Sequence, residues 1–216
     1  EIMPSLVGSE MCIRDRGENA QRYFAKYNKQ KRTFEALTEL IQETADDIQY
    51  LESISNALDI ALSEADLAQI KEELMQSGYI RRKHTKKKVK LTSKPMHYIS
   101  SDGYDMYVGK NNLQNEELTF SFANGNDWWF HAKGAPGSHV IVKSGGDELP
   151  DRTFEEAGRL AAYYSKNRGA DKVEIDYIQK KHVKKPNGAK PGFVVYYTNY
   201  SLVIDSDISN IKNVQD

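Results

Sequence analysis

The sequence predicts an α+β chain in which a long helical arm is followed by a compact mixed α/β domain. From Glu18 to Ser77 there is neither Gly nor Pro, the two residues that destabilise a helix interior most. Beyond residue 96 the pattern changes to short β-branched or aromatic runs bounded by Gly, Asn, Asp and Pro. The charge divides near the same place, because residues 1–80 hold 8 basic and 15 acidic residues while residues 81–216 hold 22 and 16. The two parts are therefore electrostatically different.

Residues 1–16 match neither the helical pattern that follows them nor a turn that would lead into it. The stretch SLVGSEMCIRDR within them resembles translated sequencing-adaptor sequence. We interpret residues 1–16 as a non-native leader, which would make Cys12 a non-native residue.

Residues 17–80 are expected to form a coiled-coil arm plus a short helix. Apolar or small side chains recur at alternating steps of three and four along the arm. They are Phe34, Leu37, Ile41, Thr44, Ile48, Leu51, Ser55, Leu58 and Leu62. The stripe has charged flanks, so it predicts pairing with one partner helix. The alternative is an amphipathic helix that lies on a globular core.

The arm is expected to end near Leu62, where a capping box starts the short helix. Ser63 is followed three residues later by Asp66, the spacing of reciprocal capping. Gly78 is a suitable residue to follow the helix end. Residues 81–95 then form a basic linker.

Residues 96–206 are predicted to form the compact domain, and residues 207–216 a tail. The expected strands are Tyr104–Val108, Trp128–Ala132, His139–Val142, Val173–Ile178, Phe193–Tyr197 and Leu202–Ile204. One helix is expected over Thr153–Asn167, with Thr153 as its cap.

Two basic segments indicate a polyanionic partner. The first is the run Arg81, Arg82, Lys83, Lys86, Lys87, Lys88, Lys90 and Lys94, for which a flexible tether is the alternative. The second is the loop 182–192, in which Pro186 and Pro191 restrict the backbone and Lys184, Lys185 and Lys190 can meet phosphates. Across residues 177–204 these cations are interleaved with Tyr177, His182, Phe193 and Tyr196, as in nucleotide-binding surfaces. A solvated hairpin tip is the alternative for the loop.

The segment Asp127–His139 raises the alternatives of a metal or catalytic site. Its two histidines and Asp127 match neither a helical HxxxH motif nor a Cys/His finger. Ser138 and His139 are adjacent strand residues and so point to opposite faces, which argues against a nucleophile–base pair. We predict a core strand, a Pro136–Gly137 turn and histidines that bond to the backbone or to RNA. No metal, cofactor or catalytic residue is expected.

Composition excludes several other classes. The longest apolar runs are far shorter than the roughly 20 residues of a membrane span. The start of the chain lacks the pattern of a signal peptide, and a single cysteine cannot form an intrachain disulfide. We therefore expect no membrane partner and a cytoplasmic location.

The order of motifs resembles the C-terminal RNA-binding domain of the NFACT family. The motifs are SSDGYDMYVGKNNLQNEELTF, DWWFHAKGAPGSHVIV, EEAGRLAAYYSKNR and VEIDYIQKKHVKKPNGAKPGFVVY. Upstream, ENAQRYFAKYNKQKR and EELMQSGYIRRK resemble the return arm of the family's middle coiled coil. Glu116 stands where Asp is common and Ala135 where Ile is common.

The resemblance implies an RNA-binding module of a ribosome quality-control factor of the RqcH type, also called fibronectin-binding protein A. Such a factor binds the large ribosomal subunit (rRNA) carrying stalled peptidyl-tRNA and recruits tRNA for C-terminal alanine tailing of nascent chains. It is not itself an enzyme in that process. The family's N-terminal domain and outgoing arm have no counterpart here, so the missing N-terminal part of the same protein is the expected coiled-coil partner. The alternative is a fibronectin-binding surface adhesin, which only the family's other name supports.

The basic, aromatic-rich pattern and the resemblance together give a set of expected RNA contacts. They are Lys110, Asn111, Asn112, Gln114, His131, Lys133, Ser138, His139, Lys181, His182, Lys184, Lys185 and Lys190.

Overall fold

The computed structural model describes residues 6–81 and 93–214, with side chains from Asp15 onward. It divides into two compact units, Glu1–Ile48 and Gln49–Asp216. Most of the predicted basic linker, residues 82–92, lies outside the described residues. No helix in the described part of the chain is long and apolar enough to cross a membrane.

The first unit consists of helix α1, which spans Leu6–Ile60 and so continues into the second unit. The helix begins at Leu6, inside the segment interpreted as a leader, rather than at the start of the predicted arm. Within the first unit the predicted apolar stripe is exposed, with Phe34 at 71%, Ile41 at 68% and Ile48 at 55%. The coiled-coil partner of this stripe stays a prediction.

In the second unit, the last turns of α1 pack against α2, Glu64–Gln76, through a face that the stripe does not include. Tyr50, Ile54 and Ala57 form a buried cluster with Ile70 of α2. Of the predicted stripe, Leu51 and Leu58 are exposed in this region. The heptad pattern therefore does not describe the packing of residues 49–60. This part of α1 packs as an amphipathic helix on a core, the alternative given above.

The predicted capping box between the two helices is confirmed. Ser63 Oγ accepts from the backbone N–H of Asp66, and the Asp66 carboxylate accepts from the backbone N–H of Ser63. Past the C-terminus of α2, Gly78 has a φ of +82°, a conformation that favours glycine.

The domain is built on an antiparallel sheet of seven described strands. They are β1 Met96–Ile99, β2 Asp105–Val108, β3 Trp128–Ala132, β4 Val140–Val142, β5 Val173–Gln179, β6 Tyr200–Ile204 and β7 Lys212–Asn213. Their order is β6-β5-β3-β4-β2-β1-β7. The predicted α+β fold class is confirmed.

Helix α4, Asp151–Tyr163, covers one face of the sheet. Leu160 and Ala161 pack there against Phe130 of β3. The helix starts two residues earlier than predicted, after Pro150, so Thr153 is not its cap. Thr153 is buried and donates a hydrogen bond to Asp102 Oδ2 at 2.8 Å, which joins the helix to the β1–β2 turn.

The opposite face is covered by helix α3, Asn112–Glu117, a π-helical turn Leu118–Phe122 and the chain after β5. Trp129, Ile141 and Ile178 form its core together with Leu118 and Val183. β3 thus has a core on both sides, as expected from the alternation of its large side chains.

Three strand assignments differ from the sequence prediction. Phe193–Tyr197 forms no strand and makes only an isolated bridge between Lys184 and Val195. β1 was not predicted, and neither was β7, which lies in the segment assigned to a tail and pairs with β1.

Candidate nucleic-acid interface

A cationic surface of the described domain lies where β5 ends. We call it the Lys180–Lys184 surface and define it by Lys180, Lys181, His182 and Lys184. A 3₁₀ turn spans Lys180–His182. The backbone N–H groups of Lys180 and Lys181 donate to Asp127 O at 2.8 Å and Gly125 O at 3.0 Å. Val183 is buried, so the backbone of this surface is fixed while the side chains of Lys181, His182 and Lys184 are exposed.

An exposed aromatic side chain lies on the segment beside this surface. Lys184 and Val195 exchange two backbone hydrogen bonds of 3.0 and 2.8 Å. Tyr196 points inward and donates from its hydroxyl to Asp176 Oδ2 at 2.9 Å. Tyr197 is 85% exposed. Exposed aromatic rings and cations on neighbouring segments are the groups that bind a base and its phosphate.

The predicted lysines differ in whether a carboxylate already neutralises them. Lys185 Nζ lies 2.6 Å from Glu116 Oε1, and Lys110 Nζ lies 3.3 Å from the buried Asp66. Lys133 is paired with Glu174. Lys181 and Lys184 have no ion-pair partner within residues 15–81 and 93–214, so their positive charges are available to a ligand.

Lys190, at the far end of the basic loop, is directed back onto the protein. Its Nζ lies 4.4 Å from the ring centroid of Tyr50 and donates to the hydroxyl of Tyr79 at 2.9 Å. Gly192 N–H also donates to Glu116 Oε2 at 3.3 Å. The Lys190 end of the loop is therefore docked against Tyr50 and Tyr79, while Asn187 and Gly188 are exposed.

Three polar residues predicted to contact RNA are instead buried between α3 and α2. Asn111 and Gln114 donate to Gln69 Oε1, both at 2.8 Å, and Asn112 donates to Glu73 Oε1 at 2.9 Å. Their side chains join the helical hairpin to the sheet domain. They are buried and so do not belong to the exposed Lys180–Lys184 surface.

The two histidines of the Asp127–His139 segment pack against the ring of Trp129. The ring centroids of His131 and His139 lie 5.6 and 5.1 Å from that of Trp129. His139 is 2% exposed and its Nδ1 is 2.8 Å from Thr119 Oγ1. Burial lowers the pKa of His131 to about 4 and holds the pKa of His139 well below its usual value, so both are neutral near pH 7.

Ser138, the remaining predicted contact, is 1% exposed, and its backbone N–H donates to Tyr164 O at 3.0 Å. Of the predicted set, only Lys181, His182 and Lys184 are thus brought together as exposed residues without an acidic partner. Among the described residues, no group of three or more His, Cys, Asp or Glu side chains could hold a metal ion. The expectation of a metal-free site stays a prediction.

Sequence reasoning missed Tyr197 and Asp176 as parts of this site. Tyr197 ends the run Phe193–Tyr197, and its side chain is exposed while that of Tyr196 is partly buried. Asp176 interrupts an apolar strand, and a carboxylate there signals buried hydroxyl partners. Its two oxygens accept from Tyr196 and from Ser201 Oγ at 2.6 Å, which fixes the segment that carries Tyr197.

The family comparison identifies the antiparallel sheet domain as an RNA-binding domain. Residues 14–93 match the model of the NFACT N-terminal and middle domains, and residues 94–198 match that of the NFACT protein RNA-binding domain. The chain belongs to the NFACT family.

Individual relatives agree with this assignment. The chain is 45% identical over 199 residues to the Rqc2 homolog RqcH of Streptococcus pneumoniae serotype 2 (strain D39), covering 92% of this chain and 36% of that protein. It is 40% identical to the Rqc2 homolog RqcH of Bacillus subtilis (strain 168), covering 90% of this chain and 34% of that protein. The chain thus spans about a third of the length of these relatives.

A solved structure shares the fold. It is the C-terminal part of the fibronectin/fibrinogen-binding protein from Streptococcus suis (FBPS), with a TM-score of 0.80 and 44% identity. The match covers 88% of this chain and 77% of that one.

Proposed function

We propose that the Lys180–Lys184 surface and Tyr197 form the RNA contact of this domain. The observation that supports this most is the pair of exposed ammonium groups of Lys181 and Lys184, which no described carboxylate neutralises, on a backbone fixed by hydrogen bonds. Cations held in this way bind phosphates and release counterions without a large ordering cost. Tyr197 would stack on an unpaired base.

The test is RNA affinity, measured by fluorescence anisotropy with a labelled structured RNA. At about 0.15 M salt, two lost phosphate contacts are expected to weaken binding roughly ten- to thirtyfold. The variant is Lys181→Gln/Lys184→Gln. The matched control, Lys172→Gln/Lys212→Gln, removes the same charge from exposed residues at the other end of β5 and at the opposite edge of the sheet.

The control should bind as the wild type does. Equal loss in both double variants would mean that net charge alone governs binding, and it would refute this surface as the contact.

At the level of the whole protein, we propose a cytoplasmic ribosome quality-control factor that binds the large ribosomal subunit and tRNA during alanine tailing. Family membership and the RqcH relatives support this role. In it the chain acts by binding RNA and carries out no chemical step itself. Co-sedimentation with purified large subunits tests the proposal: wild-type chain should pellet with the subunits, and the Lys181→Gln/Lys184→Gln variant should stay in the supernatant.

Fibronectin binding is a second candidate, favoured by the name of the solved Streptococcus suis relative. Surface plasmon resonance on immobilised fibronectin tests it. Saturable binding that survives the Lys181→Gln/Lys184→Gln change would indicate a separate activity.

A further inference from the structure

A second site is formed within the second unit by a cavity of about 340 Å³ between the last turns of α1 and the chain that leaves α4. Its volume is within the range of small-molecule sites. It is lined by both carboxylates and cations, and none of the expected RNA contacts belongs to it.

One wall of the cavity is a single face of α1. Glu52, Ser55, Asn56 and Asp59 line it at the i, i+3, i+4 and i+7 spacing that places side chains side by side. Asn56 Nδ2 donates to Tyr164 O at 3.3 Å, which joins this wall to the end of α4. The opposite face of α1 is fixed by the buried cluster around Tyr50 and Ile54. The wall is therefore rigid.

The charges along this wall are not equally satisfied. Lys166 Nζ lies 2.6 Å from Glu52 Oε1, so these two charges neutralise each other. The side chain of Asp59 makes no hydrogen bond or ion pair within residues 15–81 and 93–214. Asp59 is exposed, and its carboxylate lines the cavity as an acceptor available to N–H donors of a ligand.

The other wall offers a flat cation. The guanidinium of Arg168 lies 3.8 Å from the ring centroid of Tyr163 and donates to its hydroxyl. Arg168 also lines the cavity. A guanidinium held against a tyrosine ring is a group on which a nucleobase that enters the cavity can stack.

We propose that this cavity binds a single guanine base, stacked on Arg168 and held at its Watson–Crick edge by Asp59. A carboxylate has two acceptor oxygens, and guanine presents two adjacent donors, N1–H and the N2 amino group. Adenine and cytosine place an acceptor nitrogen beside their amino group, which a carboxylate repels, and uracil has one N–H between two carbonyls. Guanine is therefore the base that satisfies both oxygens of Asp59.

The base can come from an unpaired nucleotide of RNA or from a free guanine nucleotide. The first source rests on the proposed RNA-binding function, and the second does not. In either case the phosphate is an anion that Arg168 attracts.

The test uses the full chain and two labelled hairpin RNAs that differ in one unpaired loop base, guanine or adenine. Wild-type chain should bind the guanine hairpin roughly tenfold more tightly, the value of one bidentate pair. Asp59→Asn should remove this preference, because an amide presents one donor and one acceptor. Asp147→Asn, the same change at an exposed aspartate outside the cavity, should retain the preference. Circular dichroism confirms that each variant is folded.

Equal affinity of the wild-type chain for both hairpins would overturn the guanine site and leave RNA binding intact. If neither hairpin binds, the proposed function fails. Calorimetry with GMP and AMP then tests independently whether the cavity binds guanine. Saturable GMP binding that Asp59→Asn abolishes would support the site, and no preference for GMP over AMP would overturn it.

Discussion

The sheet domain should lose stability when the pH falls, because His131 is held neutral in the folded state. Burial lowers the pKa of its imidazole to about 4 from an ordinary value of 6.5. Between these two values the unfolded chain binds a proton that the folded chain does not, so the stability present above pH 6.5 is lost as the pH falls toward 4. From about pH 7 to about pH 5, His131 alone contributes a loss of about 2 kcal/mol in the free energy of unfolding.

His139 acts in the same direction, since burial and the neighbouring His131 both lower its pKa. The variant that isolates the first effect is His131→Gln, which carries no titrating group. Its loss between the two pH values should be smaller than that of the wild type by about 2 kcal/mol. His182→Gln removes an exposed histidine and is the matched control.

Tryptophan fluorescence during urea unfolding is a suitable assay, because both tryptophans of the chain lie on β3 and one of them contacts His131. The comparison concerns the difference between two pH values, so a general change in stability caused by the substitution cancels. An equal pH dependence of the free energy of unfolding in wild type and His131→Gln would refute the claim that His131 is neutral in the folded protein.

Three further substitutions test the packing and the surface. Gly109→Ala should destabilise the domain by about 2 kcal/mol in urea unfolding, because a Cβ there would collide with Asn115 Oδ1 and come 3.0 Å from the backbone nitrogen of Asn115. An unchanged unfolding midpoint would contradict this prediction. Asp66→Ala should lower the free energy of unfolding by about 3 kcal/mol in the same assay, since it leaves the largely buried ammonium of Lys110 unpaired. A loss below about 1 kcal/mol would show that the ion pair contributes little. Tyr197→Ala should weaken RNA binding by about 1–3 kcal/mol in fluorescence anisotropy while Tyr197→Phe binds normally; equal loss in both would rule out stacking.

Local patterns in the sequence predicted most elements of the fold. The Ser63 capping box depends on residues three apart, and the strands from β2 to β6 follow runs of β-branched and aromatic residues. Phe193–Tyr197 shares that composition, yet it joins no sheet. Strand β5 already has β3 and β6 on its two edges, and the segment makes only the bridge from Val195 to Lys184.

The candidate site was less predictable, because whether a polar residue is exposed and unpaired depends on partners far away in the sequence. Asn111, Asn112 and Gln114 have the composition of an exposed polar turn, but Gln69 and Glu73, which lie 39 to 45 residues earlier, bind them inside the protein. Lys185 is neutralised by Glu116, 69 residues upstream. A basic run in sequence therefore indicates the kind of partner, while only the fold shows which of its charges remain free.

The dependence of RNA affinity on salt concentration tests the central claim, that Lys181 and Lys184 contact phosphates, most directly. Each lost phosphate contact should reduce the slope of log K against log salt concentration by about 0.7–0.9. The account predicts a slope for Lys181→Gln/Lys184→Gln that is shallower than the wild-type slope by about 1.5, and an unchanged slope for Lys172→Gln/Lys212→Gln. A Lys181→Gln/Lys184→Gln slope equal to that of the wild type would contradict it.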